Sequence, residues 1–458
     1  MAMTLKLVFN ELLLQDRWMY HENSFMSNNS RIILNTSKYR RVFSALHDSN
    51  YRLLWGSNFA MYVSRWMQMT VLLWFVLDLT DSPFKVGIVG FCGMAPNLVL
   101  GIFGGYLADK LDRKKLLSVT QILNLIAAMT MTFLLISGIA EYWHAYIAII
   151  FPGLGWALDM PSRKSLIMDL MGSDGLTNGI AFDSVGMHMS KMIGPVVAGT
   201  MITFVSISSA YVFLCLCIFM GCIFIFRIKQ PEKDGMSDQA AYSREEIGSK
   251  AYISLIFKNL GEGFRYAFSN QVIVAVIVIT VFMNLLLFPY MTMVPVVSKF
   301  IFEVGPFLMG ILMASDGLGA LLGSVLIAAQ SGMKSHGRVF FYGSILSLIS
   351  LLLFSISGWY LLSIFTLFFL GCGTAGFGTM QSTIVLLVSK PEYRGRVLGI
   401  VTIAIGAGPI GALIIGALSE NIGVANALLI NAFLGLVIVG FCGMIMPSIR
   451  QDIDVKSP

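Results

Sequence analysis

Charged residues are scarce in this 458-residue chain. Asp, Glu, Lys and Arg make up 12% of it, whereas hydrophobic residues make up 56%. Soluble proteins carry about 25% charged residues, so this composition excludes an ordinary soluble domain. The length leaves room for about twelve helices of roughly 20 residues, the length that crosses a bilayer. We therefore expect an all-α protein embedded in a lipid bilayer.

The sequence has few of the residues from which enzyme, metal and nucleotide sites are built. Its six cysteines all fall within apolar segments and its five histidines are scattered, so neither a disulfide framework nor a metal site is expected. The sequence has no G-x-x-x-x-G-K-[ST] loop that could cradle phosphates. We expect a protein without a cofactor, a metal ion or catalytic residues.

Lys and Arg are unevenly placed along the chain. The formal net charge is +6, which alone would allow a nucleic-acid partner. However, 27 of the 31 Lys and Arg residues fall in the tails and alternate loops that would share one side of a membrane. Basic loops stay in the cytoplasm. The pattern therefore predicts a multi-pass protein of the cytoplasmic (inner) membrane, monomeric, with both termini in the cytoplasm and no nucleic-acid partner.

Twelve apolar segments are long enough to span a bilayer. They lie at about 53–77, 85–108, 116–137, 143–162, 178–204, 210–228, 272–298, 307–330, 338–357, 359–388, 397–419 and 424–446. A polar stretch separates the first six from the last six, and its second part has the apolar spacing of a surface helix (255–268). The predicted parts are a cytoplasmic tail (1–50), a six-helix bundle (51–228), a cytoplasmic linker (229–269), a second bundle (270–447) and a short tail (448–458).

The two halves echo each other in sequence. In span 5, Gly194-Pro195 is followed by Gly199, and in span 11 the corresponding pair is Gly408-Pro409. A proline removes a backbone donor and a glycine permits close helix packing, so both motifs predict a bent helix. Two pseudo-symmetric six-helix bundles with a binding site between them are the expected architecture.

The turn between spans 2 and 3 reads G-G-Y-L-A-D-K-L-D-R-K-K-L-L over residues 104–117. It resembles the loop 2–3 signature of the major facilitator superfamily, G-x-L-A-D-R-x-G-R-K. The matching positions are Gly105, Asp109, Arg113 and Lys114, and the departing ones are Lys110 and Asp112.

A second stretch resembles the drug and metabolite exporter branch of that superfamily, which includes siderophore and macrolide exporters. It reads P-S-R-K-S-L-I-M-D-L-M over residues 161–171 and continues with Asn178-Gly179, Lys191 and Gly194-Pro195. The stretch W-F-V-L-D-L-T-D-S-P over residues 74–83 is similar to the same branch. The likeness covers about residues 50–447; Ala198, Asp183, His188 and Asp316 depart from it.

The resemblance implies a gate at the cytoplasmic ends of the helices. In the superfamily, an arginine of span 4 and the aspartate of loop 2–3 join a charge cluster that locks the outward-facing state. Here that cluster would contain Asp109, Arg113 and Arg163, with Gly105 allowing span 2 to approach span 11. Asp159 is four residues before Arg163 and could pair with it along the helix. The alternative is a solvated basic loop that only sets topology.

Span 1 carries an arginine near its middle. Arg65 shares a helical stripe with Asn58, and Gln68 is adjacent. A charge in hydrocarbon is costly unless it faces water or a partner. We expect Arg65 to line a cavity and to meet an anionic substrate group or a carboxylate. The alternative is an arginine bonded to the carbonyls of a neighbouring helix.

Spans 5 and 8 contain the other unusual polar groups. Asp316 lies among glycines in span 8, where a buried carboxylate could bind and release the proton that drives an antiporter; a structural hydrogen bond is the equal alternative. In span 5, His188 and Lys191 share a helix face, whereas Asp183 is too far along the axis to pair with Lys191. The resemblance implies a cavity or gate role for Lys191.

The expected function is export of a small organic molecule in exchange for protons, by alternating access of two rocking bundles. The open alternatives are uptake or facilitated diffusion of a metabolite, and a membrane sensor or scaffold that has lost transport. Buried charges argue against a scaffold, which has no need for them.

Overall fold

A computed structural model describes residues 44–110, 112–229, 261–330 and 335–451. Predictions for most of the two tails and of the linker, including the first part of the surface helix, lie outside the described residues. Within the described linker, residues 261–268 are helical. Gly105 and Asp109 lie in a described helix, but the Asp109 side chain is outside what the structure describes.

The described residues form helices and contain no strand. The long helices are α1 (Ser49–Thr80), α2 (Pro83–Lys110), α3 (Arg113–Ile136), α4 (Tyr142–Phe204), α5 (Ile207–Arg227), α6 (Gln271–Phe282), α7 (Tyr290–Phe300), α8 (Pro306–Ala329), α9 (His336–Ile356), α10 (Tyr360–Val388), α11 (Arg394–Ile405), α12 (Ala407–Ile422) and α13 (Val424–Ile445).

Aspartates begin two of these helices. The Asp48 carboxylate accepts a hydrogen bond from the backbone N–H of Tyr51 at 2.7 Å and caps α1. Asp112 caps α3 in the same way through the N–H of Lys115 at 3.0 Å. Such caps satisfy backbone donors that a helix start leaves free. Asp112, which departs from the superfamily signature, thus begins the helix that follows the loop.

The 63-residue helix α4 is a hairpin of two arms, 142–171 and 173–204. Its backbone leaves helical geometry at Gly172, where φ is 64° and ψ is −176°. A left-handed φ of this kind favours glycine. Asn58 of α1 bonds both Arg163, nine residues before the break, and Asp183, eleven residues after it. The two arms therefore run side by side in opposite directions.

The helix of span 4 is longer than the predicted span, which covers 143–162 and precedes span 5 at 178–204. The first arm of α4 continues helically to 171. Buried partners stabilise Arg163 inside the helix, about 13 Å along the axis from the break at Gly172.

Two helical segments of the second half are interrupted. A π-helical turn, Met283–Leu287, joins α6 to α7 just before Pro289, which lacks a backbone N–H. Helices α11 and α12 are separated at Gly406, two residues before Gly408-Pro409. By contrast, the second arm of α4 is helical through Gly194-Pro195.

Nine segments of the described residues are long and apolar enough to cross a membrane; two of these contain the interruptions in the second half. Helix α2 and the two arms of α4 overlap the remaining three predicted spans. Large apolar side chains such as Phe133, Phe365 and Phe441 are more than 60% exposed on the outer surface, as expected where a helix bundle meets lipid. The count of twelve crossings stays a prediction.

Successive segments alternate in direction when α6–α7 and α11–α12 are each counted as one segment and the arms of α4 as two, and this gives the molecule two ends. We call the end with the α1–α2, α7–α8 and α12–α13 connections the Asp81 end. The opposite end, with the α2–α3 connection and the bend at Gly172, is the Asp112 end.

Candidate functional site

The second arm of α4 packs against α8 of the other half with almost no side chains between them. A Cβ added to Gly199 would overlap the carbonyl oxygen of Pro306, and one added to Gly310 would overlap that of Pro195. A Cβ on Gly317 would meet the backbone nitrogen of Met192 at 2.9 Å. These glycines let the two backbones touch, which is how helices associate closely in membranes.

Helices α2 and α12 form the matching contact on the other side of the interface. A Cβ on Gly87 would lie 2.6 Å from the carbonyl oxygen of Ala412, and Gly416 contacts the backbone of α2 at Gly87. Gly408 faces the Sδ–Cε end of Met94, deeper in the molecule. Of the helix-bend glycines, Gly199 and Gly408 therefore lie at contacts between the halves, whereas Gly194 packs against α1 of its own half.

Polar contacts close the interface at the Asp81 end. The Lys299 ammonium lies 2.8 Å from a carboxylate oxygen of Asp81 and 3.5 Å from one of Asp78. Ser82 donates a hydrogen bond to Glu420 at 2.9 Å, again across the interface. Together with the glycine contacts, these bonds join the halves from the Asp81 end towards the middle of the molecule.

A buried ion pair crosses the interface near its middle. The Lys191 Nζ atom, on the second arm of α4, lies 2.6 Å from Asp316 Oδ2 on α8. The Asp316 side chain is 2% exposed and that of Lys191 is 15% exposed. Lys191 also lies over the ring of Trp66, 5.7 Å from its centroid. In the described part of the chain, Lys191 is the one cation within 4.0 Å of Asp316.

His188 and Tyr290 lie close to this pair. The His188 Nε2 atom and the Ser324 hydroxyl, which belong to opposite halves, are 3.4 Å apart. His188 interacts electrostatically with both members of the pair, and the buried phenol of Tyr290 interacts with Asp316. The structure therefore brings together three predicted cavity residues, namely His188, Lys191 and Asp316.

A second buried polar network lies wholly within the first half. Asn58 donates to Asp183 at 2.7 Å and accepts from Arg163. Arg163 also pairs with Asp159 at 3.3 Å. The second oxygen of Asp159 accepts from Thr120 at 2.5 Å, and Asp183 accepts from Tyr62 at 3.1 Å.

Each charge of this network thus has at least two partners. Asp183 lies in the interior with 7% exposure. The network connects α1, α3 and both arms of α4.

Arg65 and Gln68 contact the first arm of α4. Arg65 donates to the Pro152 carbonyl at 2.5 Å, and its guanidinium lies 4.5 Å from the centroid of the Trp156 ring. Gln68 donates to the Ala148 carbonyl at 3.2 Å. Arg65 therefore makes the carbonyl bond of the structural alternative, and its side chain also lines a cleft; the cavity role stays a prediction.

The predicted gate residues do not all meet. Arg113 bonds Asp169 at 2.5 Å and Lys114 bonds the Ile228 carbonyl at 2.7 Å, both at the Asp112 end. Arg163 is instead bound in the interior by Asn58 and Asp159. Among the described residues, Arg113 and Arg163 therefore share no partner. The first arm of α4 continues past Arg163, and its Asp169 carboxylate binds Arg113 in place of a shared cluster.

The comparisons with known proteins agree with this architecture. The family model described as "Transmembrane secretion effector" matches residues 41–457. The protein belongs to this family of major facilitator transporters.

Its curated relatives are distant in sequence but similar in length. The Staphyloferrin A transporter of Staphylococcus aureus is 21% identical over 388 residues, which cover 82% of this chain and 91% of the relative. Macrolide efflux protein A of Streptococcus pyogenes is 21% identical, with 88% and 97% coverage. The multidrug efflux pump Tap of Mycolicibacterium fortuitum is 23% identical, with 84% and 92% coverage.

Solved transporter structures share the fold. A POT family transporter in complex with 5-aminolevulinic acid superposes with a TM-score of 0.67 at 12% identity, covering 88% of this chain and 96% of that chain. A bacterial homologue of the human lysosomal transporter Spinster, in an inward-facing and unoccupied conformation, superposes with a TM-score of 0.66 at 12% identity. The match covers 88% of this chain and 99% of that chain.

Several residues of the transporter's polar sites were missed by sequence reasoning. Asp169 pairs with Arg113, Thr120 bonds Asp159, and Trp156 packs against Arg65. Threonine and tryptophan are ordinary in membrane helices, so they gave no signal. Asp169 could have been found, because it lies six residues after Arg163 in a stretch that apolar residues otherwise dominate.

Proposed function

We propose that this transporter is a secondary active exporter that exchanges a small organic molecule for protons by alternating access. Its two bundles, 51–228 and 270–447, would rock around a central cavity, with the linker 229–269 and both tails (1–50 and 448–458) in the cytoplasm. The observation that carries the proposal is the buried ion pair between Lys191 and Asp316, which joins the two halves.

An ion pair between moving halves provides a physical basis for proton coupling. If the halves separate at the Asp81 end, Lys191 and Asp316 move apart and each loses its partner. A buried carboxylate without a cation is strongly disfavoured as an ion, so Asp316 would take up a proton in place of Lys191. Re-forming the pair would release that proton. One proton would then move for each conformational cycle.

The orientation follows from the basic loops, which would place the Asp112 end in the cytoplasm. The contacts at the Asp81 end would then close the protein towards the outside, as in an inward-facing state. Gly105, Asp109, Arg113 and Lys114 would act at the cytoplasmic end, where they lock the opposite state once the helix ends converge.

The direction of transport is inferred from the relatives. Two of them are named for efflux, one of macrolides and one of multiple drugs, and the family is named for transmembrane secretion. Export therefore fits better than uptake.

The deciding experiment is transport by proteoliposomes with and without an imposed pH gradient. A thermal-shift screen of the purified protein against antibiotics, siderophores and metabolites would first supply a substrate. Asp316→Asn should still exchange substrate down its own gradient but should no longer concentrate it when a pH gradient is applied. Glu262→Gln is the matched control, because it removes a carboxylate that is 43% exposed and pairs with Arg396 of the second half.

If Asp316→Asn still concentrates substrate under the gradient, the proton site lies elsewhere, and Asp183 or His188 would be tested next. Orientation is tested separately by single cysteines in a cysteine-free background. Ser335→Cys should react from the cytoplasm and Ser208→Cys from outside. Reaction of Ser335→Cys from outside in intact cells would overturn the proposed topology.

A further inference from the structure

The first half contains a cleft beside Arg65 that the ion pair between the halves does not use. Its lining includes Arg65, Asn124, Trp156, Asp159 and Arg163, together with the apolar side chains of Met61 and Met160. The cleft lies between α1, α3 and the first arm of α4.

Arg65 is the charged side chain of the cleft that lacks a close ionic partner. Asp159 and Arg163 form an ion pair, and Asp159 is further engaged by Thr120. Asp159 also interacts with Arg65 electrostatically, but among the described residues no carboxylate oxygen lies within 4.0 Å of the Arg65 guanidinium nitrogens. A buried charge without a close partner is costly in a membrane protein.

Arg65 is held in place by contacts that leave its charge available. One N–H donates to the Pro152 carbonyl, and the Trp156 ring supports the guanidinium at 4.5 Å. A guanidinium has five N–H donors, and a neutral carbonyl and a ring face do not neutralise it. A fixed guanidinium with free donors is suited to bidentate binding of a carboxylate.

Asn124 provides an independent sign of a missing ligand. It is 2% exposed, and its Oδ1 atom has no hydrogen-bond partner among the described residues. Buried side-chain amides are normally bonded. Asn124 lines the same cleft as Arg65, and because its Oδ1 atom is an acceptor, a hydrogen-bond donor on a bound molecule would satisfy it.

We propose that this cleft binds the anionic end of the substrate, and that the substrate is an organic carboxylate with an attached apolar part. This inference rests on the proposed transport function and names its substrate class. Arg65 binds the carboxylate, the Asn124 Oδ1 atom accepts a hydrogen bond from a neighbouring hydroxyl or amine, and the apolar part packs against Met61 and Met160. A cationic substrate is disfavoured in the cleft because Arg65 repels it.

The test uses two dyes with the same ring system and opposite charge. Fluorescein carries a carboxylate and is anionic at pH 7.5, whereas rhodamine 6G is an esterified cation. Binding to the purified full-length protein is measured by fluorescence anisotropy. We expect fluorescein to bind at least about tenfold more tightly than rhodamine 6G, which corresponds to the step expected for one good charged contact.

The variants assign that preference to the cleft. Arg65→Gln should weaken fluorescein binding about tenfold or more, and Arg65→Lys should weaken it less. Arg52→Gln is the matched control: it removes an exposed arginine of the same helix that bonds the Leu46 carbonyl, and it should leave binding unchanged.

Equal binding of the two dyes by the wild-type protein would overturn the inference, even if Arg65→Gln did not fold. Unchanged fluorescein binding by folded Arg65→Gln would overturn it as well. The same measurements distinguish a failure of the substrate inference from a failure of the transport proposal. If rhodamine 6G is concentrated by a pH gradient in an Asp316-dependent way while fluorescein does not bind, this inference fails and proton antiport stands.

Discussion

Two groups of buried charges in this transporter differ in the number and the location of their partners. In the first half, Arg163, Asp159 and Asp183 share a network in which every charge has two or more partners on helices of the same half. Between the halves, Lys191 and Asp316 depend mainly on each other. The first arrangement suits a part that keeps its shape, and the second suits a contact that has to break.

The largest loss of stability is expected when one charge of the buried network in the first half is removed. Arg163→Gln leaves Asp159 buried without its cation and deprives Asn58 of a donor. We expect the free energy of unfolding to fall by about 3–5 kcal/mol, measured by denaturation in detergent. The control is Arg113→Gln, whose ion pair with Asp169 is about one-third exposed and should be worth roughly 1 kcal/mol or less. Equal losses would mean that the buried network has no special structural role.

The pair between the halves should respond differently to single and double replacement. Lys191→Gln leaves the Asp316 carboxylate without its cation and should cost about 1–3 kcal/mol of unfolding free energy. The double variant Lys191→Gln/Asp316→Asn removes both charges, so most of that loss should disappear. Concentrative transport should stay absent in both. A double variant that transports normally under a pH gradient would contradict a coupling role for the pair.

The sequence predicted which charged residues are unusual better than it predicted which residues they contact. Lys191 and Asp316 both stand out as charges in hydrocarbon, but 125 positions separate them, and hydropathy does not reveal which helices touch. Arg163 was placed at a helix end because a charge normally ends an apolar run. Its buried partners Asn58 and Asp159 explain why the helix continues, and only the three-dimensional structure brings Asn58 to it.

Most of the helix positions followed from apolar periodicity and length, since a bilayer demands about 20 apolar residues per crossing. The interruptions were less predictable. Pro195 and Pro409 follow the same Gly-Pro pattern, yet the helix leaves its regular geometry near Gly408 and not at Gly194. Local sequence alone does not decide this, because packing against neighbouring helices determines which interruption is tolerated.

The backbone contact at Gly199 offers a more moderate perturbation of the interface. A methyl group in Gly199→Ala would overlap the Pro306 carbonyl and push α8 away from α4. Overpacking typically costs about 1–3 kcal/mol, so the population open at the Asp81 end should rise about fivefold or more. The readout is maleimide labelling from outside of Thr292→Cys, a residue buried against Gly90, in a cysteine-free background.

Gly378→Ala is the control for this change, because a Cβ at that helical position meets no atom within 4 Å. An equal labelling rate in Gly199→Ala and in the unmodified background would show that the α4–α8 contact does not hold the Asp81 end closed.

The smallest effect on labelling is expected when the exposed ion pairs at the Asp81 end are removed. Lys299→Gln removes the ion pairs with Asp78 and Asp81, but both carboxylates are more than half exposed. Such pairs contribute about 0–1 kcal/mol, so labelling at Thr292→Cys should rise less than about fivefold. Lys85→Gln, which removes a cation over Tyr142 within the first half, should not change it. A larger rise for Lys299→Gln than for Gly199→Ala would reverse the proposed order of contributions.

The interrupted helices give the two halves unequal stiffness. In the first half, the Asn58 amide fastens α1 to both arms of α4 at one level, so these three segments resist being bent separately. In the second half, the π-turn at Met283–Leu287 and the break at Gly406 are places where backbone hydrogen bonds are already displaced. Helix α12 packs on the π-turn at Gly411 and contacts Met94 of the first half at Gly408. We expect the first half to act as a rigid lever and the second to flex around it, so that accommodation of differently shaped cargo is concentrated in α6–α7 and α11–α12.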